Sequence, residues 1–345
     1  MFENKERTEV SSLGEFGLID RIKKKFPIQN TSTILGIGDD AAILNNQDQE
    51  ILISTDLLLE GIHFDLSYVP LKHLGYKSVM VNLSDIFAMN AIPQQITVSL
   101  GFSNRFSLEA IDEFYEGVLL ACKRYKIDLI GGDTSSSQKG LIISITSIGF
   151  AKKEKIAKRS GAQNHDLICV SGDLGAAFLG LQILEREKSI YLENPNIQPD
   201  FENKDYLIER QLKPEARGDI IEILEGQGIV PHSMIDISDG LSSEILHICR
   251  ASDLGCRIFE EKLPIDSLTV STAHDLNLDP TVCALNGGED YELLFTVSVN
   301  DFDKVKLIPE ISIIGHMSPK DDGACLISKG NNQYDIIAQG WTNFK

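Results

Sequence analysis

Carboxylates that directly follow short apolar runs recur along this chain, and each is accompanied by glycine or a small hydroxyl residue. The six segments are GIGDD at 36–40, ISTD at 53–56, NLSD at 82–85, LIGGD at 129–133, DISDG at 236–240 and NGGED at 286–290. Buried strands end in this way when their tips bring oxygen ligands close to a bound group. Magnesium prefers carboxylate oxygens and completes its coordination with water and substrate phosphates. The pattern therefore predicts one site that holds magnesium between polyphosphates.

A simpler interpretation exists for each aspartate alone, since residues of this type cap helices and form Asx turns. It is less suited to the whole set, which is Asp40, Asp56, Asp85, Asp133, Asp236 and Asp239. Two carboxylates in close contact repel by about 4 kcal/mol at an effective dielectric constant near 20. A cluster of them is hard to tolerate without a cation, so we favour the metal site.

Several familiar nucleotide and nucleophile motifs are missing. The sequence has no G-x-x-x-x-G-K-[ST] loop, no G-x-G-x-x-G fingerprint, no H-R-D and D-F-G pair and no G-x-S-x-G elbow. The six cysteines are scattered and lack metal-ligand spacing or a recognisable nucleophile context. Any nucleotide must therefore be bound in another way.

Composition limits the class of protein and of partner. The 345 residues are enough for two domains, and 42% hydrophobic with 24% charged residues is ordinary for a globular protein. The 51 acidic against 32 basic residues give a net charge of −19, which argues against a nucleic-acid partner. With no apolar run of about 18–20 residues and no signal peptide, we expect a cytoplasmic protein without a membrane partner.

The elements that must position the carboxylates alternate without a strict βαβ rhythm, which favours an α+β fold. A densely basic segment at 151–161 marks a boundary, so we predict domains at 1–150 and 151–345, and 187–205 reads as a polar surface excursion. Apolar spacing predicts helices at 15–26, 71–90, 107–125, 174–186 and 240–251. Strands are predicted at 33–37, 51–55, 96–100, 129–130, 141–150, 166–170, 291–299 and 311–314.

Seven segments together resemble one known family. GIGDDAAI, ISTDLLLEGIHF, NLSDIFAMNA, LIGGDT, KRSGA, DISDGL and NGGEDYEL occur in the order and approximate spacing of bacterial thiamine-monophosphate kinase. The resemblance extends from about Gly14 to Trp341. That family belongs to a superfamily of ATP-dependent enzymes that includes aminoimidazole ribonucleotide synthetase. The resemblance implies a fold like that synthetase: two α+β domains whose mixed or antiparallel sheets are flanked by helices.

The resemblance also implies roles for individual residues and a homodimer formed through the N-terminal domains, for which the strand at 141–150 is a candidate edge. Several Mg²⁺ ions would be ligated by Asp40, Ser54, Thr55, Asp56, Asp85, Asp133, Asp236 and Asp239. ATP would be bound by Gly132, Asp133, Arg159 and Ser238. Thiamine phosphate would be contacted by His63, Glu289 and Trp341.

The implied reaction converts ATP and thiamine phosphate into ADP and thiamine diphosphate. The acceptor phosphate has a second pKa of about 6, so it is mostly ionised at neutral pH and needs no general base. Direct in-line transfer without a phospho-enzyme follows from this. Three alternatives remain open: another superfamily member, a metal-dependent phosphohydrolase and a calcium-binding module. Selenophosphate synthetase is disfavoured because its N-terminal catalytic Cys or Sec is missing, and no EF-hand loop supports calcium binding.

Overall fold

Two β-sheets flanked by helices make up the chain in the computed structural model, which describes residues 33–35, 39–46, 49–103 and 106–340. The helix predicted at 15–26, the glycines of the 36–40 segment and Trp341 lie outside these residues. The predicted α+β fold with two mixed sheets is confirmed by the strand pairing.

The first sheet has six described strands in the order β1-β2-β3-β6-β4-β5. They are β1 (Thr33–Leu35), β2 (Ala42–Asn46), β3 (Gln49–Leu59), β4 (Ile92–Phe102), β5 (Asp128–Ser136) and β6 (Ile142–Ala151). All neighbours are antiparallel except β4 and β5. The suggestion that the strand at 141–150 forms a free edge is wrong, because β6 pairs with β3 on one side and β4 on the other. The edge is β5.

The second sheet has seven strands in the order β13-β12-β9-β11-β7-β10-β8. They are β7 (Leu167–Ser171), β8 (Ser233–Asp236), β9 (Gly255–Phe259), β10 (Leu293–Val297), β11 (Ile311–Ser318), β12 (Ala324–Ile327) and β13 (Gln333–Asp335). Only β9 and β12 pair in parallel. The strands that bear the site, β8 and β10, lie at one edge of this sheet.

Nine α-helices occur in the described ranges. They are α1 (Leu71–Ala88), α2 (Leu108–Tyr125), α3 (Ala176–Glu193), α4 (Asp205–Leu212), α5 (Gly218–Gly226), α6 (Leu241–Ser252), α7 (Ser267–Asp275), α8 (Pro280–Asn286) and α9 (Phe302–Val305). The helix predicted at 107–125 is confirmed as α2, and Ser107 caps its start, since the Ser107 hydroxyl accepts the Ala110 amide at 3.3 Å. The surface excursion predicted at 187–205 is partly wrong: α3 continues to Glu193, and Glu187 is buried. Strong helix formers in EREK carry the helix past the expected end.

Helix α1 is the most deeply buried helix of the first half, with thirteen of its eighteen residues buried. Apolar residues such as Val79 and Leu83 are completely shielded from solvent. One hydrophobic cluster joins them to Ile143 of the first sheet and to Phe295 of the second. The two sheets share no strand among the described residues, yet they share this core. The division into domains at 150/151 therefore stays a prediction.

Two glycines let α1 and α2 approach closely. A Cβ on Gly117 of α2 would lie 1.9 Å from the Lys72 carbonyl oxygen of α1, and one on Gly75 would lie 2.0 Å from the Phe114 carbonyl oxygen. Real side chains do not tolerate such contacts, so the helices would have to separate. The sequence therefore fixes the position of α1 through these two residues.

We expect Gly117→Ala to lower the free energy of unfolding by about 1–3 kcal/mol, because the added methyl group overpacks the contact between the two helices. Urea unfolding measures this change. Gly226→Ala is the control: a Cβ there meets nothing within 4 Å, and alanine favours the helix. Equal stability of Gly117→Ala and the wild type would show that the close contact does not constrain the helices.

Candidate active site

Three carboxylates from distant parts of the chain meet at one point. Asp40 precedes β2, Asp85 lies in α1 and Asp236 ends β8; one oxygen of each lies within 4.8 Å of the other two. The site therefore draws on the first sheet, on the central helix and on the edge of the second sheet. Among the described residues this is the one group whose spacing suits a metal ion.

The NLSD segment of α1 fastens these elements together with polar side chains. The Asn82 side-chain oxygen accepts the Asp56 amide of β3 at 3.1 Å. The Ser54 hydroxyl of β3 donates to Asp85, and the Ser84 hydroxyl donates to Asp236 at 2.6 Å. One turn of α1 thus fixes β3 on one side and β8 on the other.

Burial and mutual repulsion raise the pKa values in this cluster. Burial and then Asp40 raise the pKa of Asp56 to about 6, and the same two causes raise the pKa of Asp236 to about 7. The pKa of Asp85 lies well above its usual value because of burial and the neighbouring Asp56. Asp40 and Asp56 each keep a buried oxygen without a hydrogen-bond partner. Such oxygens fit the hard-oxygen coordination of Mg²⁺.

Arg159 is the cation that faces the cluster. Its guanidinium group pairs with Asp40, and its backbone amide donates to Asp39 at 3.3 Å. Burial and the neighbouring Asp40 raise the pKa of Asp39 to about 6. An arginine beside metal-binding carboxylates is suited to contact phosphate oxygens that bridge to the metal.

A cleft of about 600 Å³ opens from the acidic cluster and lies between the two halves of the chain. Asp56, Asp85 and Asp236 line its acidic end together with Ser238 and Asp239. The remaining wall carries both apolar and charged side chains. The larger apolar ones are Leu57, Leu58, Ile62, Phe64, Tyr68, Val69, Val81, Phe178, Leu181, Leu212 and Tyr291, and the polar ones include Asp65, Lys77, Glu185, Lys188, Gln211 and Glu289. The cleft can therefore hold an anionic group at one end and a flat apolar one at the other.

Two of the predicted substrate contacts line this cleft. The His63 Nδ1 atom accepts the Leu59 amide at 3.0 Å, which fixes the ring in its loop. Glu289 is held by Lys77, whose Nζ atom lies 3.1 Å from Oε1, and by Gln211, whose Nε2 atom lies 2.6 Å from Oε2. The third predicted contact, Trp341, lies outside the described residues.

The DISDG turn is fixed at its base. Ser238 accepts the Glu289 amide through its carbonyl oxygen at 2.7 Å, so this turn and the NGGED turn support each other. The Asp239 amide donates to the buried Glu244 carboxylate at 3.0 Å. Ser238 and Asp239 thus lie beside Asp236 at the acidic end.

Two parts of the predicted site are not brought to this point. The Thr55 side chain faces away from Ser54 and donates to the Ile145 carbonyl oxygen at 3.0 Å. Gly132 and Asp133 lie on the exposed edge strand β5. Three strand spacings separate β5 from β3, which is about 14 Å. The roles predicted for Thr55, Gly132 and Asp133 stay predictions.

Sequence reasoning missed the residues that orient Glu289. Lys77 is 6% exposed and Gln211 is 5% exposed, yet both reach the cleft. A lysine beside the apolar middle of a predicted helix was a usable signal, because buried lysines are rare unless paired. Gln211 offered no signal in the sequence, because its contact with Glu289 arises only when α4 packs beside the cleft.

Comparison with known proteins gives consistent results. The family model described as AIR synthase related protein, N-terminal domain, matches residues 38–151. The thiamine-monophosphate kinase of Buchnera aphidicola subsp. Acyrthosiphon pisum is 36% identical over 96% of this chain and 98% of its own length. That of Bacillus subtilis (strain 168) is 34% identical over 96% of this chain and 100% of its own.

A solved structure is also similar over nearly the whole chain. AaThiL complexed with AMPPCP and TMP has a TM-score of 0.84 and 31% sequence identity, covering 99% of this chain and 100% of that one. The predicted aminoimidazole ribonucleotide synthetase-like fold is thereby confirmed. None of the helices in the described part of this chain is long and apolar enough to cross a membrane.

We expect the metal-free protein to lose stability between about pH 5 and pH 7. The pKa values of Asp56 and Asp236 are raised in the folded state, so the native chain binds more protons than the unfolded chain in this range. The unfolding free energy then falls as pH rises, and Mg²⁺ bound to these carboxylates would take the place of the protons. Melting temperatures measured with a chelator and with excess Mg²⁺ check this: the rise in melting temperature that Mg²⁺ produces should be larger at pH 7 than at pH 5.

The matched variants for this measurement are Asp85→Asn and Asp303→Asn. Asp85→Asn should raise the melting temperature of the metal-free protein at the higher pH, because it removes a carboxyl group whose ionisation burial and Asp56 oppose. It should also abolish most of the rise in melting temperature that Mg²⁺ produces. Asp303 is 85% exposed by side chain, so Asp303→Asn should behave like the wild type. If Mg²⁺ raised the melting temperature of the wild type and of both variants equally, this would argue against a metal site at this cluster.

Proposed function

This chain belongs to the thiamine-monophosphate kinase family, and we propose that it transfers the γ-phosphoryl group of ATP to thiamine monophosphate, giving ADP and thiamine diphosphate. The observation that supports this most directly is the cleft that joins an acidic metal-binding cluster to an apolar chamber. The similar AaThiL structure contains AMPPCP and TMP, an ATP analogue and the substrate of the family. The pathway served is thiamine diphosphate biosynthesis.

The acidic cluster is the proposed place of several Mg²⁺ ions. Asp40, Asp56, Asp85 and Asp236 would hold them, with Ser54 and Asp239 at the margin. Magnesium bound there supplies charge compensation between two phosphate groups that otherwise repel each other. Arg159 would bind nucleotide phosphate, since its guanidinium group already faces Asp40.

The chain's own residues would mainly orient the two substrates. The acceptor phosphate is its own nucleophile, so no side chain needs to remove a proton. Ser238 lies beside Asp236, where its hydroxyl can contact phosphate. His63 and Glu289 line the chamber that would receive the organic part of thiamine phosphate, and the aromatic Trp341 is proposed to cover the thiazolium ring.

A metal-dependent phosphohydrolase remains the second candidate, because it would use the same carboxylates. The apolar chamber favours the kinase, since hydrolysis needs no organic acceptor beside the phosphate. ADP formation that requires thiamine monophosphate supports the kinase, and ADP formation without any acceptor supports the hydrolase. Protein-bound label after incubation with γ-labelled ATP alone would contradict direct transfer.

We expect Asp56→Asn to lower kcat for thiamine diphosphate formation by about 10²–10³, because an amide cannot replace the charge that holds the metal. Coupled detection of ADP measures the rate, and circular dichroism checks the fold. Asp303→Asn, on an exposed residue far along the chain, should keep the wild-type rate. A near-normal rate for Asp56→Asn would remove this residue from the metal site.

We also propose a homodimer and a cytoplasmic location. All nine residues of β5 are exposed, and Ile130 is 57% exposed on this edge. Unpaired edge strands offer hydrogen-bonding groups to a second chain. A second copy there would also surround Gly132 and Asp133. All six cysteines are unpaired and buried, which supports a reducing compartment.

We expect Ile130→Lys to convert the dimer into a monomer, because a charge would be buried at the paired edge. Light scattering after gel filtration measures the mass. Leu307→Lys is the control, since Leu307 is 76% exposed in the other half of the chain. A wild-type protein that is monomeric at micromolar concentration, or a variant that stays dimeric, would contradict the β5 interface.

A further inference from the structure

Lys77 carries a charge that the proposed reaction does not yet use. It lies in the buried run of α1 with 6% of its surface exposed, and burying an unpaired ammonium group is very unfavourable. Its Nζ atom donates to the Gln211 carbonyl oxygen at 2.9 Å and lies 3.1 Å from the Glu289 carboxylate. The charge is therefore committed to Glu289.

Gln211 holds the other carboxylate oxygen of Glu289, with 2.6 Å between Nε2 and Oε2. We call Lys77, Gln211 and Glu289 the Glu289 clamp. Its members come from α1, from α4 and from the turn after α8, and all three line the cleft. A carboxylate has about four lone-pair positions, so the clamp leaves some of them available for a ligand.

The backbone beneath the clamp is strained, which shows how firmly the carboxylate is held. Glu289 and Tyr291 have φ values of 58° and 51°, which side chains of this size rarely adopt. Their amides donate to the carbonyl oxygens of Ser238 and Ile237 at 2.7 and 2.9 Å. Strain of this kind persists where the surroundings fix the conformation, and it is frequent at ligand sites.

Charge decides what the clamp can recognise. Asp56, Asp236 and Asp239 already make part of the same cleft acidic. An uncompensated Glu289 would compete with them for Mg²⁺ and would attract any cation. Paired with Lys77, its remaining lone pairs can accept hydrogen bonds from a neutral N–H donor instead.

We propose that Lys77 and Gln211 are positioning residues that make Glu289 selective for the neutral aminopyrimidine of thiamine phosphate. The proposal rests on the proposed function and explains how the same site selects its substrate. The exocyclic amine of the pyrimidine is the N–H donor, and the Glu289 carboxylate is its acceptor. In this proposal Lys77 acts through Glu289, with which it is paired, and not by binding the metal.

The first experiment compares Lys77→Met with the wild type in steady-state kinetics. We expect KM for thiamine monophosphate to rise by about tenfold or more, since breaking a buried ion pair leaves an uncompensated charge. Both kcat and KM for ATP should change by less than about twofold. Lys72→Met is the matched control on the same helix, because Lys72 is exposed and pairs only with the exposed Glu116.

Selectivity is measured with the 4′-oxo analogue of thiamine phosphate, which lacks the exocyclic amine. The wild type should prefer the amine by its kcat/KM ratio, and Lys77→Met should reduce this preference by about tenfold. In the double variant Lys77→Met/Glu289→Gln, KM should equal that of Glu289→Gln alone, because Lys77 acts only through this carboxylate.

Gln211→Met provides the same test without a buried charge if Lys77→Met does not fold, and it should raise KM for thiamine monophosphate several-fold. An unchanged KM in either single variant, or equal increases in KM for both substrates, would overturn the clamp. If the clamp fails but the wild type makes ADP only in the presence of thiamine monophosphate, the proposed kinase function still stands. If the wild type shows no such turnover, both the kinase function and the role of the clamp are wrong.

Discussion

Repulsion among buried carboxylates is the constraint on which the rest of this structure depends. Asp40, Asp85 and Asp236 come from three separate parts of the chain, and hydrophobic burial by itself does not favour bringing three carboxylates together. Hydrogen bonds from Ser54 and Ser84 hold two of them in place. The protein thus stores unfavourable electrostatic energy at one point, and a divalent cation with its phosphate ligands can relieve it. The cluster lowers the stability of the fold at the place where the reaction requires negative charge.

Helix α1 links this site to the fold. Its NLSD turn contacts β3 and β8, and one turn and a half earlier Lys77 reaches Glu289 in the same cleft. The helix can serve both ends because it is buried from both sides and because Gly75 and Gly117 fix its contact with α2. One rigid element therefore sets the separation between the acidic cluster and the Glu289 carboxylate.

The sequence was informative where chemistry leaves a local mark. Asp40, Asp85 and Asp236 each sit in a short motif, and the structure brings them together. Local patterns could not show that α1 lies between two sheets, that β6 is paired on both sides or that α3 runs on to Glu193. Nor could they identify Gln211, because its role arises only when α4 packs against α1. Long-range packing decides these features, and no short segment encodes it.

The hydrophobic cluster shared by both sheets also constrains how the chain is made. When the first half has left the ribosome, one side of α1 still lacks the cover that Leu212, Ile220 and Phe295 will supply. The apolar surface of the first half therefore stays exposed to solvent until more than a hundred further residues have been synthesised. Chaperones can bind this surface during that time. For the same reason, gene fission at the basic segment would yield two fragments that need each other to become soluble.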